Sequence, residues 1–403
     1  MLYVKTPSIP SDEFMKRAVG VAIHYGFMPW NRVRKEVNRT RTKKPAAAKR
    51  PIKPRGAFGS HTGELHQALQ TYVDHGFNTL AQPVLFYHSN IERGMRSVKA
   101  DDPLLLGLQV IGSNKSISEA ILIKTAIEIL DEVGIKNVSI HVNTIGDRDG
   151  MVRYNRELVA YLRKNINDMP AHARTLLKRN SFQCLTHLCQ KKHPIADEAP
   201  RAMEFLAEHG RKHLKEVLEY IEGIGLSYEI DDTLVGDGES YSQMLFEIRE
   251  KENDEDPLLD QVVYARGGRY DDFGRKLYRM NIPAAGIIIK SGRKGGNPKV
   301  YLNPKRIRQP KVCFIQFGFE ARLKSLRVLE MLRKAKIPVQ QSFGSDKLTD
   351  QLEWAERCSI PHIIIMGQKE AIDGTVIVRD MNTRSQEIID VENLSVYLKS
   401  IWK

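Results

Sequence analysis

The chain has 403 residues, 41% of them hydrophobic and 28% charged, which is enough to build the cores of two domains and leaves little room for wholesale disorder. No stretch approaches the roughly 18 apolar residues that a membrane helix needs, and the opening lacks the basic-then-apolar order of a secretion signal, so a cytoplasmic protein with no membrane partner is expected. A formal charge of +13 favours polyanions, nucleic acid first, while four scattered cysteines exclude a disulfide framework.

Taken in chain order, residues 11–27 read as a helix with Ser11 or Asp12 as N-cap and Gly26 as terminator. Residues 31–56 are dense in Lys and Arg against one acid, Glu36, and hold three prolines; they read as a flexible basic arm. A helix over 63–76 follows, then strands at 82–88 and 104–112. Ser116 to Val133 reads as a long helix that opens on Ser-Ile-Ser-Glu, a capping box, and ends at Gly134. Strand 138–146 precedes a helical insertion over about 147–225. The segments SYEIDDTLV, SYSQMLFEIRE, QVVYARGG and AAGIIIK then read as antiparallel strands, because their connections are too short for helical crossovers.

A shift to Lys, Arg, Asn and Pro around 297–310 marks a boundary, dividing the chain into 1–308 and 309–403. The second unit alternates strand, helix, strand, helix, strand, strand and a last helix, a small α/β domain.

Two words in this order are specific. Ala-Arg-Gly-Gly-Arg-Tyr-Asp at 265–271 resembles the histidine-site signature of the histidyl-tRNA synthetases, a strand leading into a glycine turn. MGQKEAIDGTVIVRDMNTRSQEI at 366–388 is similar to the anticodon-binding domain of the same family. The resemblance covers about residues 57–400. It implies an α+β fold: a class II synthetase-like antiparallel sheet core flanked by helices, with a C-terminal α/β anticodon-binding-type domain. It also implies a histidine pocket around Tyr264, Gly267, Gly268, Arg269 and Tyr270, and tRNA contacts at Lys369, Glu370, Arg379, Arg384 and Gln386. The arm residues Arg39, Arg41, Lys43 and Lys44 are further candidates for gripping an RNA backbone.

Class II chemistry must stabilise charge on the ATP α-phosphate while a carboxylate attacks it, which calls for arginines and carboxylates at fixed places. The family word Phe-Arg-x-Glu corresponds to Phe86-Tyr87-His88-Ser89, so Tyr87 and Ser89 stand where an Arg and a Glu are expected. Losing one such donor costs roughly 2.7–4 kcal/mol. Gln109 replaces a glutamate in the next strand, and Gly236 replaces the arginine of Leu-Val-Arg-Gly. The element Arg-Pro-Glu-Gly-Thr is unrecognisable in Ser60 to Glu64. In the third motif Pro283 to Gly286 fits and Arg293 falls where an ATP-binding arginine belongs, yet Lys290 takes the place of a glycine.

The departures point to a tRNA-binding synthetase-like protein with lost or altered aminoacylation. Two alternatives stay open. One is an active histidine–tRNA ligase using Arg93, Arg96 or Arg293 as phosphate ligands, with ATP and Mg²⁺; the other is a synthetase-like regulatory subunit of another enzyme. The resemblance implies a homodimer. Cys184, His187, Cys189 and His193 have the spacing of no common zinc site, so no metal is assigned. The acidic run 250–256 reads as a solvated hairpin loop.

Overall fold

The structure is a computed structural model that describes residues 11–30, 60–77, 82–89, 104–236, 240–251, 261–290 and 310–402. The basic arm with Arg39, Arg41, Lys43 and Lys44 lies outside the described residues, as do Arg93, Arg96, Arg293 and the acidic run beyond Lys251.

Among the described residues thirteen strands fall into two sheets. The first holds β1 (Met28–Pro29), β2 (Val84–Ser89), β3 (Leu105–Ile111), β4 (Val138–Thr144), β5 (Tyr228–Ile230), β6 (Met244–Glu250), β7 (Val263–Arg269) and β8 (Ala284–Lys290). Their order is β1-β2-β3-β8-β7-β6-β4-β5. The six central strands pair antiparallel, while β1 on β2 and β5 on β4 pair parallel at the two edges. The expectation of a wholly antiparallel run therefore fails at SYEIDDTLV. Helix α8 (Glu208–Gly223) carries the chain back along the sheet before β5, which gives the crossover that a parallel neighbour requires.

One face of this sheet carries α1 (Ser11–His24), α3 (Ile117–Glu132) and α8. Helix α3 is buried on nearly all sides, as an apolar helix enclosed by a sheet and other helices must be. Its apparent capping box is spent elsewhere: Ser116 Oγ donates to Glu216 Oε2 at 2.5 Å, and Glu119 turns to Arg269. The opposite face carries α2 (Ser60–Asp74) and the helical insertion, α4 (Arg148–Lys164), α5 (Ala171–Leu177), α6 (Ser181–Gln190) and α7 (Pro194–Asp197), together with α9 (Asp271–Tyr278). Local caps fix where the insertion helices begin: Asp147 accepts from Gly150 N at 2.8 Å, and Asn180 from Gln183 N at 3.1 Å.

The second sheet, in order β10-β9-β11-β12-β13, comprises β9 (Val312–Gln316), β10 (Val339–Ser342), β11 (His362–Met366), β12 (Thr375–Asp380) and β13 (Gln386–Asp390). Helices α10 (Gly318–Lys334), α11 (Leu348–Arg357), α12 (Gln368–Asp373) and α13 (Leu394–Ser400) complete the C-terminal unit, of which α12 and β13 were not foreseen. Helix α10 packs on α1, α3 and α8, so one apolar core runs through both units. Polar contacts pin the junction. Lys124 reaches Glu128 and Glu330 at 2.8 Å each, Lys115 meets Asp346 at 2.6 Å, and Gln341 Nε2 donates to Tyr25 O at 2.6 Å. Among the described residues no helix is long and apolar enough to cross a membrane.

Candidate functional site

Directly paired residues in adjacent strands share a face of the sheet. The row Tyr87, Leu108, Ile287, Gly267, Phe246 and Val142 belongs to the side covered by α3. The row Phe86, Gln109, Gly286, Gly268, Leu245 and Asn143 lies on the other side, below the insertion, and so does His88. Tyr87 and Ser89 consequently point away from the side that Gln109 and Gly268 occupy. The site-side residues of β2 are Phe86 and His88, neither of which supplies a permanent positive charge. The pleat is the reason, since a slip of one residue in reading a strand moves every side chain to the other face.

The same rule sorts the five residues expected around a histidine pocket. Gly268 and Tyr270 belong to the site side; Tyr264, Gly267 and Arg269 belong to the helix-covered side. Gly267 and Gly268 lie inside β7 and not in a turn. Both positions are short of room, because a Cβ on Gly268 would lie 2.5 Å from Met244 O and one on Gly267 2.5 Å from Gly286 O.

Arg269, 1% exposed, grips Glu119 through two parallel contacts, Nε to Oε1 at 2.7 Å and Nη2 to Oε2 at 2.8 Å. Its remaining donors meet Ser113 O at 3.0 Å, Lys115 O at 3.3 Å and Asp271 Oδ1 at 3.4 Å. His213 Nε2 stands 2.7 Å from Glu119 Oε1. Burial alone raises the pKa of Glu119, but Arg269 and His213 outweigh it and hold the carboxyl down at about 2. Arg269 is thus the centre of a buried ion cluster that ties β7 to α3 and α8. None of its charge is directed at the site.

On the site side a chain of buried polar groups crosses the sheet. Tyr270 Oη donates to Gln109 Oε1 at 2.6 Å, Gln109 Nε2 lies 3.1 Å from His88 Nε2, and His88 Nδ1 lies 3.4 Å from Glu64 Oε2 on α2. All four residues are 7% exposed or less. With its Oε1 accepting from Tyr270, Gln109 turns its NH₂ group to His88 Nε2. Gln109 therefore has a use for its NH₂ group that a glutamate could not serve. The chain lies directly on two glycines: a Cβ at Gly286 would fall 1.9 Å from Gln109 Oε1, and one at Gly107 2.3 Å from His88 Nε2.

Beside this closed region, between α6 and strands β6 and β7, is a cavity of 800 Å³ whose lining includes Thr186, His187, Cys189, Leu245, Glu247 and Arg266. Glu247, 2% exposed, is bracketed by Arg249 (Nε to Oε2, 2.7 Å) and by Arg266 Nε on Oε1. Arg249 also reaches Asp231 at 2.7 Å. Burial opposes its charge, yet Glu247 and Asp231 overcome that and raise its pKa. These arginines are satisfied by protein carboxylates. Gly236 lines the same cavity with φ +65°, and a Cβ there would stand 2.8 Å from Leu245 Cδ2. Lys290 is exposed at the end of β8. Sequence reasoning missed Glu119, Glu64, His88, Glu247 and Arg249, because their importance comes from partners up to 150 residues away.

Cys184, His187, Cys189 and His193 serve local packing. Cys184 Sγ donates to Ala173 O at 3.3 Å, His193 Nδ1 accepts from Ile195 N, and His187 lies edge-on to His172 at 4.8 Å. Burial pushes the Cys189 thiol up to about 11.

In the C-terminal sheet, Ile377 pairs with Ile388 and Arg379 with Gln386, on the face that holds Ile363 and Ile365. The apolar cluster on this face draws in Leu352 and Ala355 of α11 around β9 and β11, while Ile388 on the edge strand is 73% exposed. Arg379 Nε is buried without a hydrogen-bond partner among the described residues. Arg384 is exposed in the β12–β13 turn at φ +62°. Lys369 is exposed on α12, whereas Glu370 caps that helix by accepting from Gly367 N at 2.9 Å.

A family model described as histidyl-tRNA synthetase matches residues 66–290, and one described as an anticodon binding domain matches 311–401. The chain belongs to the histidyl-tRNA synthetase family. It is 26% identical over 294 residues to a histidine–tRNA ligase of Halothermothrix orenii, covering 72% of this chain and 68% of that one. It is 25% identical over 388 residues to the histidine–tRNA ligase of Rubrobacter xylanophilus, covering 94% and 84%. Among solved structures, apo histidyl-tRNA synthetase of S. aureus aligns over 91% of this chain and 93% of its own with 19% identity and a TM-score of 0.45. The mixed first sheet, its flanking helices and the separate C-terminal sheet are the α+β architecture expected of this synthetase family.

Proposed function

We propose that this protein is a tRNA-binding member of the family that does not activate histidine, acting in the cytoplasm as a homodimer. The observation that carries the reading is the closed site side of the first sheet. Gln109, His88 and Tyr270 fill the room above Gly286 and Gly107, and the two arginines of β6 and β7 beside it, Arg249 and Arg266, are both held by Glu247. A synthetase needs that room for a substrate and that charge for the α-phosphate. Gly236, in a left-handed backbone conformation against Leu245, supplies neither.

Retention of the C-terminal unit supports RNA binding. Its β12–β13 half-face combines the exposed Ile388 and the half-buried Ile377 with Arg379 and Gln386, a mixture suited to unpaired bases that stack on apolar surface and hydrogen-bond at their edges. The eleven Lys and Arg of the arm, residues 31–56, set against one acid, supply backbone attraction without sequence preference. Filter binding of histidine tRNA over a salt series tests the proposal. The expected result is steeply salt-dependent binding that an Arg379→Ala, Arg384→Ala double variant weakens; a protein that binds this tRNA no better than a duplex of equal length contradicts it. Light scattering of the purified protein tests the dimer, which a monomer mass at all concentrations would refute.

A further inference from the structure

A second cleft, of 460 Å³, opens where the N-termini of α4 and α9 meet the Ser242–Gln243 segment that leads into β6. It is lined by Asp147, Asp149, Asp271, Asp272, Ser242 and Gln243, with Arg148, His209, Arg275 and Asn281 at its walls. None of these residues takes part in the closed region or the larger cavity described above.

Two of the three cations at the cleft, His209 and Arg275, are committed to two of its acids, while Arg148 is exposed at the rim. His209 Nε2 stands 3.1 Å from Asp147 Oδ2, and Arg275 lies 3.4 Å from both Asp272 Oδ1 and Asn281 Oδ1. Asp271 is served less well. Its Oδ1 accepts from Ala284 N at 2.7 Å, and its one ion pair among the described residues is with Arg269 at 3.4 Å. That guanidinium already makes two shorter contacts with Glu119, so one arginine serves two carboxylates, one buried and one half-buried. Burial pushes the Asp271 carboxyl above its usual range, and Arg269 offsets this only in part.

An independent observation comes from Ser242. The residue is 3% exposed and its backbone N donates to Arg269 O at 2.8 Å, yet its Oγ has no hydrogen-bond partner among the described residues. A buried hydroxyl left in that state is costly unless something else meets it. Gln243, next in the chain, is held at φ +58° so that its backbone bonds both Gly146 and Ile145, and this fixes Ser242 at the cleft wall.

We propose that this cleft binds the primary ammonium group of a small organic amine, a diamine or polyamine, with the Asp271 and Asp272 carboxylates and the Ser242 hydroxyl accepting its N–H donors. A second ammonium then meets Asp149, which is exposed at the first turn of α4. A phosphate is disfavoured by four carboxylates in one small space. A divalent cation is disfavoured because no three carboxylates or imidazoles among the described residues converge as metal ligands do.

Calorimetric titration of the full chain with spermidine at about 0.1 M salt, where loose surface pairing is screened, is the test. The expected result is one saturable site. Asp272→Asn weakens it at least about tenfold, as removal of a charged acceptor does. Ser242→Val, which fills the hydroxyl's space without accepting, weakens it too, while circular dichroism and tRNA binding stay those of the parent. 1,4-Butanediol, which is neutral, does not bind. If both folded variants bind spermidine as tightly as the parent, or Mg²⁺ produces the same heat with the same dependence on Asp272, the cleft is not an amine site.

Discussion

Replacing Arg269 with methionine leaves Glu119 buried, 0% exposed, with only His213 as a partner. Breaking a buried pair from one side costs about 3–5 kcal/mol, because the remaining charge loses its partner while staying out of water. At about 2–4 °C per kcal/mol, that lowers the midpoint of the core transition by roughly 10 °C. The double variant Arg269→Met, Glu119→Gln removes both charges and recovers most of the loss. The pH dependence follows from the sign of the shift. Glu119 is held at about 2 against an ordinary 4.5, so the pair's contribution is complete above pH 4.5 and disappears as pH falls toward 2. In Arg269→Met the carboxyl takes up a proton more readily, and the gap between parent and variant narrows from pH 7 to pH 4. Urea or thermal unfolding of the three proteins across that range checks this. A single variant that costs under about 1 kcal/mol, or a double variant no better than the single, refutes the structural role assigned to Arg269.

Tyr270→Phe strips the donor from Gln109 Oε1 in a fully buried place and should cost about 1–3 kcal/mol in urea unfolding while tRNA affinity stays constant. Gly236→Arg restores the family's arginine in sequence only. A side chain there must adopt a left-handed backbone against Leu245, so about 1–3 kcal/mol of stability is lost and no pyrophosphate exchange appears. Arg379→Ala and Arg384→Ala should each lower the slope of log affinity against log salt by about 0.7–0.9 if they meet phosphates. An unchanged slope together with weaker binding instead assigns them to bases.

Much of the framework could be read from periodicity and punctuation. The helix–glycine endings at Gly26 and Gly134, the strand at Val138 and the helical insertion after Asp147 are all local patterns, and the chain forms them where they are written. The parallel pairing of β5 was not legible, because a three-residue strand has no periodicity of its own and takes its direction from α8. Strand β13 was missed since four of its five residues are exposed. The site was harder still. Reading Phe86-Tyr87-His88-Ser89 as a motif word placed Tyr87 and Ser89 at the site, and only the pairing of His88 with Gly107 and of Phe86 with Gln109 shows which alternation faces it. The same holds for Arg269: its neighbours in sequence suggest a pocket, while its partner Glu119 lies 150 residues away.

The most direct test of the central claim is histidine-dependent ATP–pyrophosphate exchange on the full-length protein, with an active histidine–tRNA ligase assayed in parallel and tRNA binding verified on the same preparation. Exchange at background, from protein that still binds tRNA, is the predicted result. Exchange well above background that depends on histidine would mean that Gln109, His88 and Tyr270 give way to substrates and that arginines outside the described residues hold the phosphates, and the reading of a closed site would be wrong.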